Sequence, residues 1–125
     1  AATQWAVCAC GTAGTIAGLA TGLSADTLPV GILVVRSGNE AHEVMQDAGL
    51  SSDRYCLLKG FEAGGYGRTT PELLGFMERF SASTGIPLEP VYTGKMFFAL
   101  DRLAASGRFA KGEALTAIHT GGYWK

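Results

Sequence analysis

Trp5-Ala6-Val7-Cys8-Ala9-Cys10-Gly11-Thr12-Ala13-Gly14-Thr15-Ile16-Ala17-Gly18-Leu19-Ala20 is the stretch from which the fold can be read. Trp5 to Cys10 is an unbroken apolar run, the mark of a strand buried on both faces. A glycine–threonine turn, Gly11 to Thr15, ends it. A helical pattern follows, with Ile16, Leu19, Ala20 and Leu23 at i, i+3, i+4 and i+7.

The same alternation continues downstream. Pro29 opens a second buried strand, Val30 to Val35. Ser37 and Glu40 have capping-box spacing, Ala41, Val44, Met45 and Ala48 form the next stripe, and Gly49 closes that helix. Tyr55 to Leu58 reads as a third strand, followed by a loop in which Gly60, Gly64, Gly65 and Gly67 surround Phe61 and Tyr66. Thr70-Pro71 caps a third helix with the stripe Leu73, Phe76, Met77 and Phe80, ended by Gly85. Pro87 and Pro90 keep Ile86 to Tyr92 extended or looped. A fourth helix is expected over 95–106, burying Met96, Phe97, Leu100 and Leu103, and a last buried strand over Leu115 to His119, broken at Gly121-Gly122. The expectation is an α/β fold, an open and mostly parallel sheet with helices on both faces. Ligands of such sheets bind outside the carboxyl ends of the strands. The loops after Cys10, Leu58 and His119 would then gather at one edge.

Composition narrows the function classes. The 125 residues make one domain, 47% hydrophobic and only 17% charged, which excludes a disordered chain. Ten basic residues face eleven acidic ones, so there is no basic field for nucleic acid or a membrane surface. Residues 1 to 25 carry no formal side-chain positive charge, and Gly14, Gly18 and Gly22 have GxxxGxxxG spacing. The helical part spans only about 14 Å against a bilayer core of ~30 Å, and no basic segment precedes it as in a signal peptide. Cys8, Cys10 and Cys56 are too few for a disulfide scaffold and lack zinc spacing, so they read as buried thiols of a cytoplasmic protein. Starting at Ala1 and running straight into a strand, the chain reads as a piece of something longer.

Four loops carry candidate chemistry. Gly11-Thr12-Ala13-Gly14-Thr15 is either an anion cup, with amides at a helix start and threonine hydroxyls as donors, or a tight turn with Gly18 packed on the sheet. Its spacing is neither GxGxxG nor a P-loop, which favours one phosphate over a pyrophosphate. Tyr66, set among glycines, is a surface ring or a catalytic phenol. Tyr92 is a core aromatic or an active-site group, with Thr93 a natural N-cap. His119-Thr120 stands at the end of a strand, where a lone histidine is more often structural than a ligand.

These motifs also match a family. VCACGTAGTIAGLATGL, GGYG, GIPLEPVYTGKMFFALDRL and AIHTGG resemble the 1-aminocyclopropane-1-carboxylate deaminase/D-cysteine desulfhydrase family, from about Trp5 to Gly122. The resemblance implies part of the large domain of a pyridoxal 5'-phosphate enzyme of the tryptophan-synthase-β fold type. It implies that Gly11, Thr12, Ala13, Gly14 and Thr15 cradle the cofactor phosphate. Tyr66 and Tyr92 would be catalytic phenols, and Thr120 would face the pyridine nitrogen with Thr93 close by. Family deaminases carry Glu and Leu where this chain has Thr93 and Thr120, so the chain has the desulfhydrase pattern. A neutral hydroxyl leaves the ring a weaker electron sink than a carboxylate would. That suffices for β-elimination of a thiolate, giving pyruvate, ammonia and sulfide, and less well for opening a cyclopropane.

One departure is large. The family's Schiff-base lysine lies upstream of the glycine turn, and none of Lys59, Lys95, Lys111 and Lys125 matches it. Lys95, at a helix start, is expected to pair with a carboxylate or face water. The expectation is therefore the C-terminal portion of such an enzyme, inactive alone, lacking the N-terminal part and homodimeric at full length. The tail Tyr123-Trp124-Lys125 leaves the family pattern. Two rival readings remain: a nicotinamide dinucleotide domain with Arg36 on a 2′-phosphate, and a non-catalytic α/β domain.

Overall fold

The computed structural model describes residues 4–36 and 39–121. The elements are β1 (Gln4–Cys10), α1 (Gly14–Gly22), β2 (Thr27–Leu33), α2 (Glu40–Asp47), a 3₁₀ turn (Ser52–Arg54), β3 (Cys56–Leu58), α3 (Pro71–Thr84), α4 (Thr93–Ala105) and β4 (Ala114–Ala117). The strands form one parallel sheet in the order β3-β2-β1-β4. The chain winds outward from β1 through β2 to β3, then crosses back to place β4 on the other side of β1. The order of winding therefore reverses between β1 and β4, and the carboxyl ends of these two strands flank a topological switch point.

Both faces of the sheet are covered. On one, Ile16, Ala17 and Ala20 of α1 and Ala41 and Met45 of α2 pack with Cys8, Cys10 and Leu33. On the other, Met96, Ala99 and Leu100 of α4 pack with Val7, Ala9, Val30 and Ile32. Leu73, Phe76 and Met77 of α3 close on Leu88 as an outer cluster. Thr70 caps α3, accepting from the Leu73 amide at 3.1 Å, with Pro71 at the first helical position. Gly85 ends α3 in the left-handed region at φ 74°. No helix among the described residues is long and apolar enough to cross a membrane.

Several expectations change. The second strand starts two residues before Pro29 and stops at Leu33, where β1 also ends; Val34 N–H still donates to Cys10 O at 3.1 Å. By alternation from that bond, the nitrogen of Pro29 faces β3, whose ladder begins only opposite Val30. The proline therefore costs no ladder bond. β4 is shorter than expected and is an exposed edge, because it pairs only with β1, although Ile118 N–H still reaches Val7 O. Gly18 is exposed and nothing lies within 4 Å of where its Cβ would be, so it does not pack on the sheet. α2 follows Asn39 with no side-chain cap; Ser37, and with it the expected capping box, lies outside the described residues, as do Gly122 and the 123–125 tail.

Candidate functional site

A cavity of about 240 Å³ opens at the switch point, lined by Ala9, Gly11, Thr12, Ala13, Gly14, Thr15, Tyr92 and Thr120. Ala9 comes from β1, the next five from the turn into α1, Tyr92 from the segment entering α4, and Thr120 from the chain leaving β4. It is smaller than the ~300–1,000 Å³ typical of pockets that enclose drug-sized ligands. It suits the anionic end of a small molecule better than a dinucleotide.

The turn is built as a helix start without a cap. Ala13 occupies the N-cap position at φ 72°, has no side chain able to accept from the helix, and no acidic residue stands in the first turn. The N-cap carbonyl takes the first backbone bond of the helix, from Ala17 N–H to Ala13 O at 2.9 Å. The amides ahead of it have no partner one turn back in the helix, and Gly14 and Thr15, at the positive end of the helix dipole, line the cavity. The ring of Tyr92 lies against Gly11, where a Cβ would meet Tyr92 Cε1 at 3.4 Å.

Tyr66 is not on the cavity wall. It is 64% exposed, and its ring meets that of Tyr92 edge-on at 6.2 Å and 70°. A hydrogen bond with the Tyr66 hydroxyl raises the Tyr92 phenol above its ordinary value, helped by burial and by the Tyr66 and Glu89 charges.

Thr93 is also off the wall. It is 0% exposed, and its hydroxyl accepts from Glu89 N–H at 3.1 Å while donating to Glu89 Oε1 at 3.3 Å. Nor is it the N-cap; that position belongs to Tyr92, and the capping oxygen comes from Glu89. The Glu89 carboxylate accepts from the amides of Val91, Tyr92 and Thr93 at 2.6, 2.7 and 2.6 Å. Sequence reasoning missed Glu89; the available signal was a carboxylate four residues before a helix start.

Lys95 corrects a second expectation. It neither pairs with a carboxylate nor faces water: it is 0% exposed, and Nζ donates to the carbonyls of Val34, Glu62 and Gly65 at 3.3, 2.6 and 2.9 Å. Burial lowers its pKa, opposed by the Glu62 and Glu89 charges. His119 is structural. Its Nε2–H donates to Pro87 O at 2.9 Å and its Nδ1 accepts from Gly121 N–H at 3.0 Å, which fixes the neutral tautomer and the turn carrying Thr120. Arg36 lies with its side chain 3.5 Å from where a Gly65 Cβ would be, and it does not line the cavity.

No family profile matches the chain. Individual proteins do. A Pyrococcus horikoshii protein provisionally named 1-aminocyclopropane-1-carboxylate deaminase is 39% identical over 127 residues, covering 93% of this chain and 38% of its own length. An Arabidopsis thaliana protein named bifunctional D-cysteine desulfhydrase/1-aminocyclopropane-1-carboxylate deaminase, mitochondrial, is 30% identical, covering 93% of this chain and 31% of its own. A crystal structure described as an ACC deaminase homologue superposes with a TM-score of 0.78 at 36% identity, over 94% of this chain and 39% of that one. Across its aligned length, the chain is similar to proteins named as 1-aminocyclopropane-1-carboxylate deaminases and D-cysteine desulfhydrases. It spans well under half the length of these relatives.

Proposed function

We propose that the chain is the C-terminal portion of a pyridoxal 5'-phosphate-dependent lyase acting on a small amino acid. The observation that supports this best is the convergence of the Gly11–Thr15 turn, Tyr92 and Thr120 on one cavity at the switch point. The residues present fit the cofactor: an uncapped helix start with threonine hydroxyls suits a phosphate monoester, and a phenol and a hydroxyl stand opposite it. When bound there, the cofactor supplies the electron sink for removal of the substrate's α-proton.

The chain's own residues divide the remaining work. The amides at the start of α1 and the hydroxyls of Thr12 and Thr15 hold the phosphate. Tyr92, held protonated beside Tyr66, has its O–H to turn toward the leaving group, with Tyr66 on the substrate side. Thr120 offers the ring nitrogen a neutral hydroxyl. No carboxylate lines the cavity among the described residues, and Glu89, the acidic group next to Tyr92, is engaged by three amides. This favours β-elimination from D-cysteine, giving pyruvate, ammonia and sulfide, over opening of the cyclopropane acid. Thr93, enclosed behind Tyr92, enters as support for Glu89 and not as a cofactor contact.

Lys95 is enclosed by carbonyls, so the lysine that holds the cofactor covalently belongs to the N-terminal part of the enzyme in this reading. Three free thiols suit a reducing compartment such as the cytoplasm. The dinucleotide reading loses its support because Arg36 packs by Gly65, away from the turn. Two measurements test the proposal. The 125-residue chain should bind pyridoxal phosphate reversibly, in competition with inorganic phosphate, and leave no borohydride-stable label on Lys95. The complete enzyme should release sulfide from D-cysteine faster than ammonia from 1-aminocyclopropane-1-carboxylate. Label on Lys95 with turnover, or faster use of the cyclopropane acid, overturns the corresponding half.

A further inference from the structure

We infer that Lys95 is a positioning residue: its buried ammonium holds the Gly60–Gly67 loop against the end of β2 and thereby fixes Tyr66 on Tyr92. Only the functional meaning of the tyrosine pair rests on the reading above; the positioning rests on geometry.

Phe61 and Ala63 pack the first half of the loop against the core, and the half that carries Tyr66 has few polar ties of its own. Ala63, Gly64, Gly65 and Gly67 all take positive φ, at 56°, 97°, 135° and 70°, so its path is one that side-chain-bearing residues rarely follow. Its backbone makes two short-range turn bonds, Gly65 N–H to Glu62 O and Arg68 N–H to Gly65 O, both at 3.1 Å. Gly60 N–H donates to the Glu62 carboxylate at 2.9 and 3.1 Å. Each of these bonds joins parts of the loop to one another or to its neighbour, and none anchors it to the sheet. Lys95 does.

A lysine ammonium has three donors and no acceptor. Here they meet three carbonyls from two segments, Val34 at the end of β2 and Glu62 and Gly65 in the loop, 61, 33 and 30 residues away in sequence. Glu62 and Gly65 bracket the turn immediately before Tyr66, so clamping both carbonyls sets where the chain delivers that ring. An uncharged side chain of the same length would fill the space and remove the one donor that each of the three carbonyls takes from α4, leaving Glu62 O and Gly65 O only their bonds within the turn. The buried cation is thus a tie between the sheet and the tyrosine loop.

The test uses the unliganded chain. In Lys95→Met, the amides of Gly65 and Arg68, which donate to the Glu62 and Gly65 carbonyls, should exchange with solvent about tenfold faster or more, as expected on losing a charge-assisted bond that fixes those carbonyls. The Tyr92 phenol should lose its elevated titration midpoint to the extent that Tyr66→Phe removes it, and Lys95→Arg should restore part of both. Should Lys95→Met fail to fold, the wild type decides: the Lys95 ammonium should exchange slowly and show couplings through hydrogen bonds to the Glu62 and Gly65 carbonyl carbons. A fast-exchanging ammonium, or a Lys95→Met chain with unchanged loop exchange and Tyr92 titration, overturns the inference. Relaxed tyrosines in a chain that never binds pyridoxal phosphate would leave the positioning role standing and remove the proposed function instead.

Discussion

The Gly11–Thr15 turn and the Gly60–Gly67 loop approach the same ring, Tyr92, from two directions: the turn through Gly11 and the loop through Tyr66. The turn is held by its neighbours in the chain. β1 before it has a strand on either side, and α1 after it buries Ile16, Ala17 and Ala20 against the sheet. The loop follows a three-residue strand and depends on a charge supplied from α4. Tyr92 itself belongs with the loop, since its place is set by Glu89 at the entry to α4. One side of the site therefore keeps its shape as long as the sheet exists, whereas the other can lose its shape with the sheet intact.

The sharpest break of this contrast is Gly94→Ala. A Cβ at Gly94 would sit 2.7 Å from Glu89 O and 2.7 Å from Met77 Sδ, while Gly94 N–H donates to Glu89 O at 2.8 Å. Neither the backbone oxygen nor the packed sulfur can yield cheaply, so a loss of about 3 kcal/mol is expected in urea unfolding. Wild-type stability in that variant would show that the tyrosine side is not wedged as described. Glu89→Ala is next. It strips three amides of their acceptor, and about 2 kcal/mol should go, with Glu89→Gln losing less. The two sides should separate in this variant: phosphate should still slow exchange of the Gly14 and Thr15 amides while the Tyr92 titration shifts. Equal loss on both sides would mean that the site is a single cooperative unit.

The contrast also explains what could be read from the sequence. Strand, turn and α1 follow from contiguous residues, and so do the Thr70-Pro71 cap and the Gly85 stop; each is a local pattern with a local cause. The parallel order of the strands followed from the alternation of elements, but the exposure of β4 did not, because Leu115 to Ile118 look as apolar as a central strand. Lys95 and Glu89 were misread or missed for one reason. The amides that Glu89 caps lie within four residues, but which helix start they form depends on where α4 begins. The carbonyls that Lys95 binds lie 30 to 61 residues away and carry no residue-type signature. Thr93 looked like an N-cap because its type and spacing fit; Glu89 reached the same amides first.

The turn side can be probed through its strand. Burial pushes the Cys8 thiol up to about 12, with the neighbouring Cys10 adding to it, and pushes Cys10 up to about 11 against a lowering bond from the Ala13 backbone. In the unfolded chain both would titrate near 9.0. At these two thiols the folded state holds protons that the unfolded state releases, so their contribution to stability should be level below pH 9 and fall as pH rises through 11. The loss should be on the order of 1 kcal/mol at pH 10 once screening is allowed for. Urea midpoints across that range give the measurement, and Cys56, only half-buried, should react with a thiol reagent well before the other two. Early reaction at Cys10 would mean that the turn side opens as readily as the loop side.

The smallest effect on stability is also the most diagnostic. Thr15→Asp puts a carboxylate into the first turn of α1, where none stands now and where Thr15 is exposed. The helix dipole should reward that charge with about 0.5 kcal/mol. The same charge occupies the field that an anionic ligand would use, so affinity for inorganic phosphate should drop about tenfold or more as repulsion replaces a donor. Stability and binding thus move in opposite directions at one position, which a turn serving only to connect β1 to α1 has no reason to produce. Comparing the variant's urea midpoint with its phosphate titration decides the matter. A chain that is stabilised and binds phosphate as before would place the anion elsewhere, and a chain that is destabilised would mean that α1 does not direct free amides at the cavity.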